Sequence, residues 1–313
     1  MNNRQRMTEA SIITAVAIIL CLAVTYLPFF ALLAFVITVP YVIIASRCGI
    51  KYTTMATVVS FFILLITTNF INASTSILIY MIPGSIIGYK MSNNEEGKLD
   101  FEPIYWGTIA SILAILVLLG SSQALLNVNP VESLMITFKE GLQIQKQTLE
   151  SMNSPQANNI DIDKMMDVIN TIIPAFLVMY GFMSAFITYY TSVFILRRTK
   201  KYNGELPKFS NFYLPGNTLI ILLLLYLVGL LLGNIESINT KDIMINIQLI
   251  FMCMFLIQGL SVYTYYLNKW FINKTTKTIL FVFSILLGPI TYILSLVGVV
   301  DSIVDFRKVR RFN

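Results

Sequence analysis

Histidine is missing from this sequence altogether, and charge is scarce: 12% of the 313 residues are Asp, Glu, Lys or Arg, against 56% hydrophobic. The first absence removes the usual general base, proton shuttle and metal ligand together. The second excludes a soluble globule, whose water-facing surface carries about twice that charge. Lipid must be the solvent for much of the chain. Three cysteines are present, Cys21, Cys48 and Cys253, too scattered through apolar runs to write a disulfide framework or a C-x-x-C metal pair. A G-x-x-x-x-G-K-[ST] phosphate loop is also missing, which closes that route to ATP hydrolysis. No apolar run carries an acid or base near its middle, since Glu9 and Asp167 sit at span ends. Carboxylate-driven ion coupling is therefore not expected. These absences predict a protein that is not an enzyme and holds no metal or cofactor.

What is present is a series of long apolar runs. Crossing the hydrocarbon layer as a helix takes about 20 residues at ~1.5 Å each. Residues 8–26, 29–45, 52–70, 73–90, 104–125, 167–196, 216–233 and 243–268 meet this, and 278–300 is a ninth run. The opening stretch has the basic head of a signal peptide but a span-length apolar run and no convincing cleavage site, so it reads as a retained first helix. Pro28 makes the first two spans a tight hairpin. The sixth run is overlong and is expected to tilt or to project beyond the lipid.

Cationic residues favour cytoplasmic loops. An inside N-terminus puts Arg4, Arg6, Arg47, Lys51, Lys90, Lys98, Arg197, Arg198, Lys200, Lys201, Lys208, Lys269, Lys274 and Lys277 inside, leaving Lys139, Lys146, Lys164 and Lys241 outside. A ninth crossing would then expel Arg307, Lys308, Arg310 and Arg311. Gly288-Pro289 offers the alternative, because proline lacks an amide proton and clashes with the preceding turn. The expectation is a membrane-dipping hairpin that returns to the cytoplasmic surface. Val299, Val300, Ile303, Val304 and Phe306 would form the apolar face of an interfacial helix, opposed by Asp301, Ser302, Asp305, Arg307 and Lys308. One long ninth span with an external C-terminus is the competing reading.

The long outer segment 126–166 contains "VESLMITFKEGLQIQKQTLESM", which places Val131, Leu134, Met135, Phe138, Leu142, Leu149 and Met152 mostly on one face. A surface helix is predicted, ending at "NSPQANN". It is either a lid over an outward pocket or an amphipathic helix lying at the interface.

Small residues form stripes. Ala10, Thr14, Ala17 and Cys21 follow helical spacing on the first span, with Ser11 and Ala15 adjacent, and Gly84 and Gly88 make a G-x-x-x-G pair on the fourth. Such faces let helices approach closely, either within the chain or with a partner. Uncharged polar residues supply the ligand candidates: Asn69 and Asn72, Gln123 and Asn127, and Asn170 and Tyr180 all fall toward the outer side, where they could serve one external pocket. Gln258 lies inside a span, so its amide must find a partner, as interhelical glue or as a ligand contact.

Several stretches together resemble the YybS-like family of uncharacterised multi-pass membrane proteins from Gram-positive bacteria: "MTEASIITAVAIIL", "VPYVIIASRCGIK", "ELPKFSNFYLPGN", "QGLSVYTYY" and "GVVDSIVDFRK". Over its first six spans that family is distantly similar to the substrate-binding subunits of energy-coupling-factor vitamin transporters. The resemblance implies that Ala10, Thr14 and Ala17 face a transmembrane coupling protein and that a ligand pocket opens outward. It also implies a possible regulatory link to cyclic-dinucleotide turnover.

The sequence thus predicts an all-α polytopic membrane helix bundle with about eight full spans and a C-terminal membrane-dipping hairpin. It is divided into residues 1–125, an external segment 126–166, and residues 167–313 with the basic tail. Both termini are expected in the cytoplasm of a bacterial plasma membrane. Two functions are carried forward. One is a transporter-like subunit that binds a small solute and needs an energising partner. The other is a non-transporting scaffold or regulator whose Arg197, Arg198, Lys200, Lys201, Arg307, Lys308, Arg310 and Arg311 meet anionic lipid or a cytoplasmic partner. Partners are the bilayer, a possible coupling subunit and an unknown small molecule, with no nucleic acid.

Overall fold

A computed structural model describes residues 2–93, 101–126, 129–152, 161–199, 208–232, 240–270 and 273–309. Among these residues there are helices and no strand. In chain order the helices are α1 (Asn3–Tyr26), α2 (Ala34–Cys48), α3 (Ile50–Thr67), α4 (Phe70–Ser76), α5 (Ile82–Asn93), α6 (Glu102–Leu126), α7 (Pro130–Ser151), α8 (Ile162–Arg198), α9 (Thr218–Leu232), α10 (Thr240–Trp270), α11 (Lys274–Leu286) and α12 (Gly288–Val304).

Each of the eight expected spans is found as a helix. Six have the length and apolarity to cross a membrane as they stand, with Phe70–Ser92 counted as one through a π-helical turn at Ile77–Met81. The other two, α2 and α9, have 15 residues each, roughly 22 Å of helix against ~30 Å of hydrocarbon. Short 3-10 turns at Pro28–Leu33 extend α2 toward α1. The 37 residues of α8 span roughly 55 Å, which matches the expected overlong helix. The outer amphipathic segment is a helix too: α7 starts with Asn129 capping the Val131 and Glu132 amides and Pro130 in its first turn, and it buries no residue.

The chain divides into two compact units, Met1–Asn170 with Tyr180–Leu206, and Thr171–Met179 with Pro207–Asn313. In the first, Gly49 has φ 91°, a conformation that costs glycine nothing, so α2 and α3 join through one residue. Ala17, Cys21, Ile37, Tyr41, Leu64, Ala73 and Met81 form one buried cluster and Ala10, Ile44, Cys48 and Ala56 another. The glycine pair on α5 serves close packing: a Cβ on Gly84 would stand 2.7 Å from the Thr38 carbonyl oxygen, and one on Gly88 would meet that of Val42. Glu9, expected at a water-reached helix end, is instead held by both oxygens to Arg47, at 2.7 and 2.9 Å, with 15% of its side chain exposed. Lys90 pairs with Glu102 at 2.7 Å and lies 4.5 Å above the Trp106 ring.

In the second unit α11 and α12 meet at a 100° bend. The break falls at Leu287, with Pro289 in the first turn of α12, where its missing N–H costs nothing. The predicted break is therefore present as a bend between two helices, but α12 is not an interfacial amphipathic helix beginning near residue 299. It runs from the bend to Val304 and buries Leu294, Ser295, Gly298 and Asp301. A Cβ on Gly298 would fall on the Phe255 carbonyl oxygen and one on Gly259 on that of Leu294. The backbones of α10 and α12 thus touch, which only glycine allows.

Candidate functional site

Of the polar candidates expected on the outer side, the Asn69 side chain is used locally. Asn69 caps α4, its Oδ1 accepting the Asn72 amide at 2.8 Å, and the Asn72 carbonyl accepts the Ser76 hydroxyl at 2.8 Å. Gln123 and Asn170 are exposed, and Tyr180 is half-buried with its ring 6.2 Å from that of Phe35. Asn127 lies outside the described residues. No hydrogen bond among the described residues joins the Asn69–Asn72 pair to Gln123, Asn170 or Tyr180.

The stripe on α1 is split between two surroundings. Ala10, Thr14 and Ala17 are buried, Ala10 against Ile44, Cys48 and Ala56, and Ala17 against Ile37, Tyr41 and Leu64. The adjacent Ser11 and Ala15 are exposed. They form, with Tyr52, Met55 and Val59 of α3, an open groove of about 380 Å³. A bulky helix fits where the floor is small.

Of the basic residues, Arg197, Arg198 and Lys308 are exposed, whereas Lys200, Lys201, Arg310 and Arg311 lie outside the described residues. Arg307 departs from expectation: it is not at the surface but 7% exposed, ion-paired to Asp301 at 2.8 Å with both side chains 1% exposed. Its Nη1 donates to the Ser210 carbonyl and the Ser261 hydroxyl, each at 2.6 Å, and its Nη2 donates to the Phe212 carbonyl at 2.9 Å. Gln258, fully buried, donates to the same Asp301 oxygen at 3.0 Å and accepts the Leu214 amide at 3.1 Å. The single Ser261 hydroxyl proton is shared between the Phe209 and Phe212 carbonyls, which lie 2.6 and 2.9 Å from its oxygen. The physical reason is satisfaction of the backbone. Residues 208–217 run before α9 mostly without helix, and their carbonyls need donors if they are buried. The planar five-donor guanidinium supplies several at once. Arg307 reaches them because Asp305 turns the chain with a left-handed φ of 50°.

A second amide is employed similarly. Pro174 interrupts α8, and Asn246 of α10 sits beside it, Oδ1 accepting the Ala175 amide at 2.8 Å while Nδ2 donates to the Thr171 and Asp242 carbonyls at 2.5 and 2.8 Å. It bridges a carbonyl and an amide one helical turn apart, next to the residue that cannot donate. Sequence reading missed Asp301, Arg307, Ser261 and Asn246 as interior groups. The usable signals were the small-residue spacing Ser295, Gly298, Asp301 on one helical face, and a mid-helix proline in need of a neighbour. Among the described residues no three His, Cys, Asp or Glu side chains gather as metal ligands. The arrangement builds two buried polar joints and one open, largely apolar groove.

No solved structure matches the chain. It is similar to the uncharacterized protein YybS of Bacillus subtilis (strain 168), 21% identical over 307 residues, which are 96% of this chain and 97% of that protein. A family described as "Predicted membrane protein (DUF2232)" matches residues 15–302. An all-helical chain of apolar span-length helices, matched over nearly its whole length, this protein belongs to the DUF2232 family of membrane proteins.

Proposed function

We propose that this integral membrane protein is a non-catalytic, transporter-like subunit of a bacterial plasma membrane that binds a small neutral or zwitterionic solute and depends on a partner subunit for energy. The observation that carries the reading is the open groove beside α1, where Ser11 and Ala15 leave room for an incoming helix between α1 and α3. Lipid-exposed grooves with small floors are where membrane helices associate, since close backbone approach replaces the hydrophobic drive lost in lipid. Ala10, Thr14 and Ala17 then act from below, fixing α1 on its own bundle, while their outward neighbours meet the partner. The solute would enter from the side that carries Asn69, Gln123 and Asn170. The test is copurification from native membrane. Ser11→Phe and Ala15→Leu, both at exposed positions, should release a partner recovered with the wild type while leaving the melting temperature within about 1 °C. Equal recovery in both variants would end the proposal, as would a broad metabolite screen in which no solute raises the melting temperature.

The local use of Asn69 as a helix cap favours a second reading, a scaffold or regulator without transport. In it Lys308, Arg310 and Arg311 bind anionic lipid or a cytoplasmic partner, and Arg307 takes no part because it is buried. Neutralising those three while keeping Arg307 should weaken association with phosphatidylglycerol vesicles. Unchanged association would count against it.

A further inference from the structure

In the second unit, α9, α10 and α12 enclose a groove of about 320 Å³ whose walls include Leu223, Phe251 and Leu296 and whose polar groups are Tyr226, Gln248, Tyr292 and Ser295. The Ser295 hydroxyl is spent on the Met252 carbonyl at 2.6 Å. The other three are not: among the described residues neither phenol nor the Gln248 amide has a hydrogen-bond partner. All three are exposed, Tyr226 by 42% and Tyr292 by 56%.

For one of them depth makes this costly. Tyr226 stands near the middle of α9, roughly 12 Å from its first residue, in the run "LIILLLLYLVGLLL". Gln248 is roughly 12 Å into α10, whose 31 residues overhang the hydrocarbon, so it lies nearer the edge of the layer than Tyr226 does. At the depth of Tyr226 water is absent, and a hydroxyl left without a partner there is penalised. Single tyrosines at a lipid boundary are ordinary near headgroups, but not at the centre of an all-aliphatic span. Tyr226 is in that condition, and Gln248 and Tyr292 line the same groove with it.

What can satisfy them is narrowed by charge. No Asp, Glu, Lys or Arg lines the groove, so a phosphate or a zwitterion would remain unpaired, and a water-soluble solute would have to cross lipid to arrive. Two phenols and one amide can accept as well as donate, and a single acceptor oxygen on a neutral molecule can serve all three as donors. The volume is near the lower end for small-molecule sites, enough for a polar ring or head with its tail leaving between the helices. We propose that this groove binds a neutral, lipid-soluble molecule through a carbonyl or hydroxyl oxygen, held by the Tyr226 and Tyr292 hydroxyls and the Gln248 amide. The site lies in the unit that does not contain α1, so it stands whether or not the partner-docking reading holds.

The test uses the full chain in phosphatidylcholine nanodiscs, photolabelled in parallel with three diazirine probes: an alkyl naphthoquinone, a farnesol analogue and an alkane without oxygen. At least one oxygen-bearing probe should label peptides of α9, α10 or α12 about tenfold more than the alkane, the worth of roughly one hydrogen bond. The two oxygen-bearing arms distinguish a quinone carbonyl from an isoprenoid-type alcohol. Gln248→Leu and Tyr226→Phe, both at exposed positions, should each reduce that labelling about tenfold, leave alkane labelling unchanged and not lower the melting temperature. Equal labelling by the alkane, which would mean acyl chains only, overturns the proposal. So does undiminished labelling by the oxygen-bearing probe in the variants, or a parallel loss for all three probes.

Discussion

Arg307 is the residue on which the second unit most depends. Its guanidinium reaches Asp301, Ser261 and two carbonyls of the segment before α9, so the end of the chain is fastened to that segment. Removing one partner of a buried ion pair leaves a charge with no solvent and typically costs about 3–5 kcal/mol. Arg307→Met should therefore lower the melting temperature in detergent far more than Lys308→Met, whose side chain is exposed. Arg307→Lys should rescue little, because an ammonium cannot span the same acceptors. The double variant Asp301→Leu with Arg307→Met should recover part of the loss, since it leaves neither charge orphaned. Equal melting temperatures for the Arg307 and Lys308 variants would refute this assignment. Asn246 makes the corresponding statement about α8. Asn246→Leu strands the Ala175 amide and the Thr171 carbonyl, an effect of about 1–3 kcal/mol. It should speed amide exchange at residue 175 selectively, measured against residue 190 of the same helix.

At the scale of elements, the contact of α10 with α12 is set by two glycines. A Cβ at Gly259 or Gly298 would overlap a backbone carbonyl, which cannot swing aside as a side chain can. Gly259→Ala and Gly298→Ala should each destabilise by about 1–3 kcal/mol or more, the usual range for overpacking. Gly120→Ala, where nothing lies within 4 Å, should be neutral or stabilise by about 0.5–1 kcal/mol. Chemical unfolding monitored by tryptophan fluorescence separates the two classes, and an equal response would show that α10 and α12 do not touch.

The same elements show how far sequence could be read. The bend at Gly288-Pro289 was legible because proline acts on its own neighbours, and α7 because its apolar spacing is local. The closeness demanded by Gly84 and Gly88 was legible from their spacing, though not the identity of α2 as the neighbour. Asp301 and Arg307 were not legible. On a helical wheel they fall among polar residues opposite Val300 and Ile303, the pattern of a helix at an interface. What inverts it is contact with Gln258, Ser261 and Ser210, between 43 and 97 positions away. The capping role of Asn69 was also not read: its side-chain oxygen serves the local backbone at the start of α4.

For the whole molecule, the account describes a first unit with an open groove beside α1, and a second unit with a bent helix pair, a buried ionic joint and a groove lined by α9, α10 and α12. Its central claim is that α11 and α12 dip and return instead of crossing, so that the basic residues flanking them share one side. What supports this claim is that a 13-residue leg rises roughly 20 Å, short of a ~30 Å layer, and that the pair is bent by 100°. The direct measurement is impermeant thiol labelling in intact cells of a variant with Cys21, Cys48 and Cys253 replaced by alanine, carrying a single new cysteine at Thr276 or at Lys308. The account predicts that both positions behave alike, protected in intact cells and labelled once the membrane is opened. Labelling of position 308 from outside while 276 stays protected would mean that the pair crosses the membrane, and would contradict it.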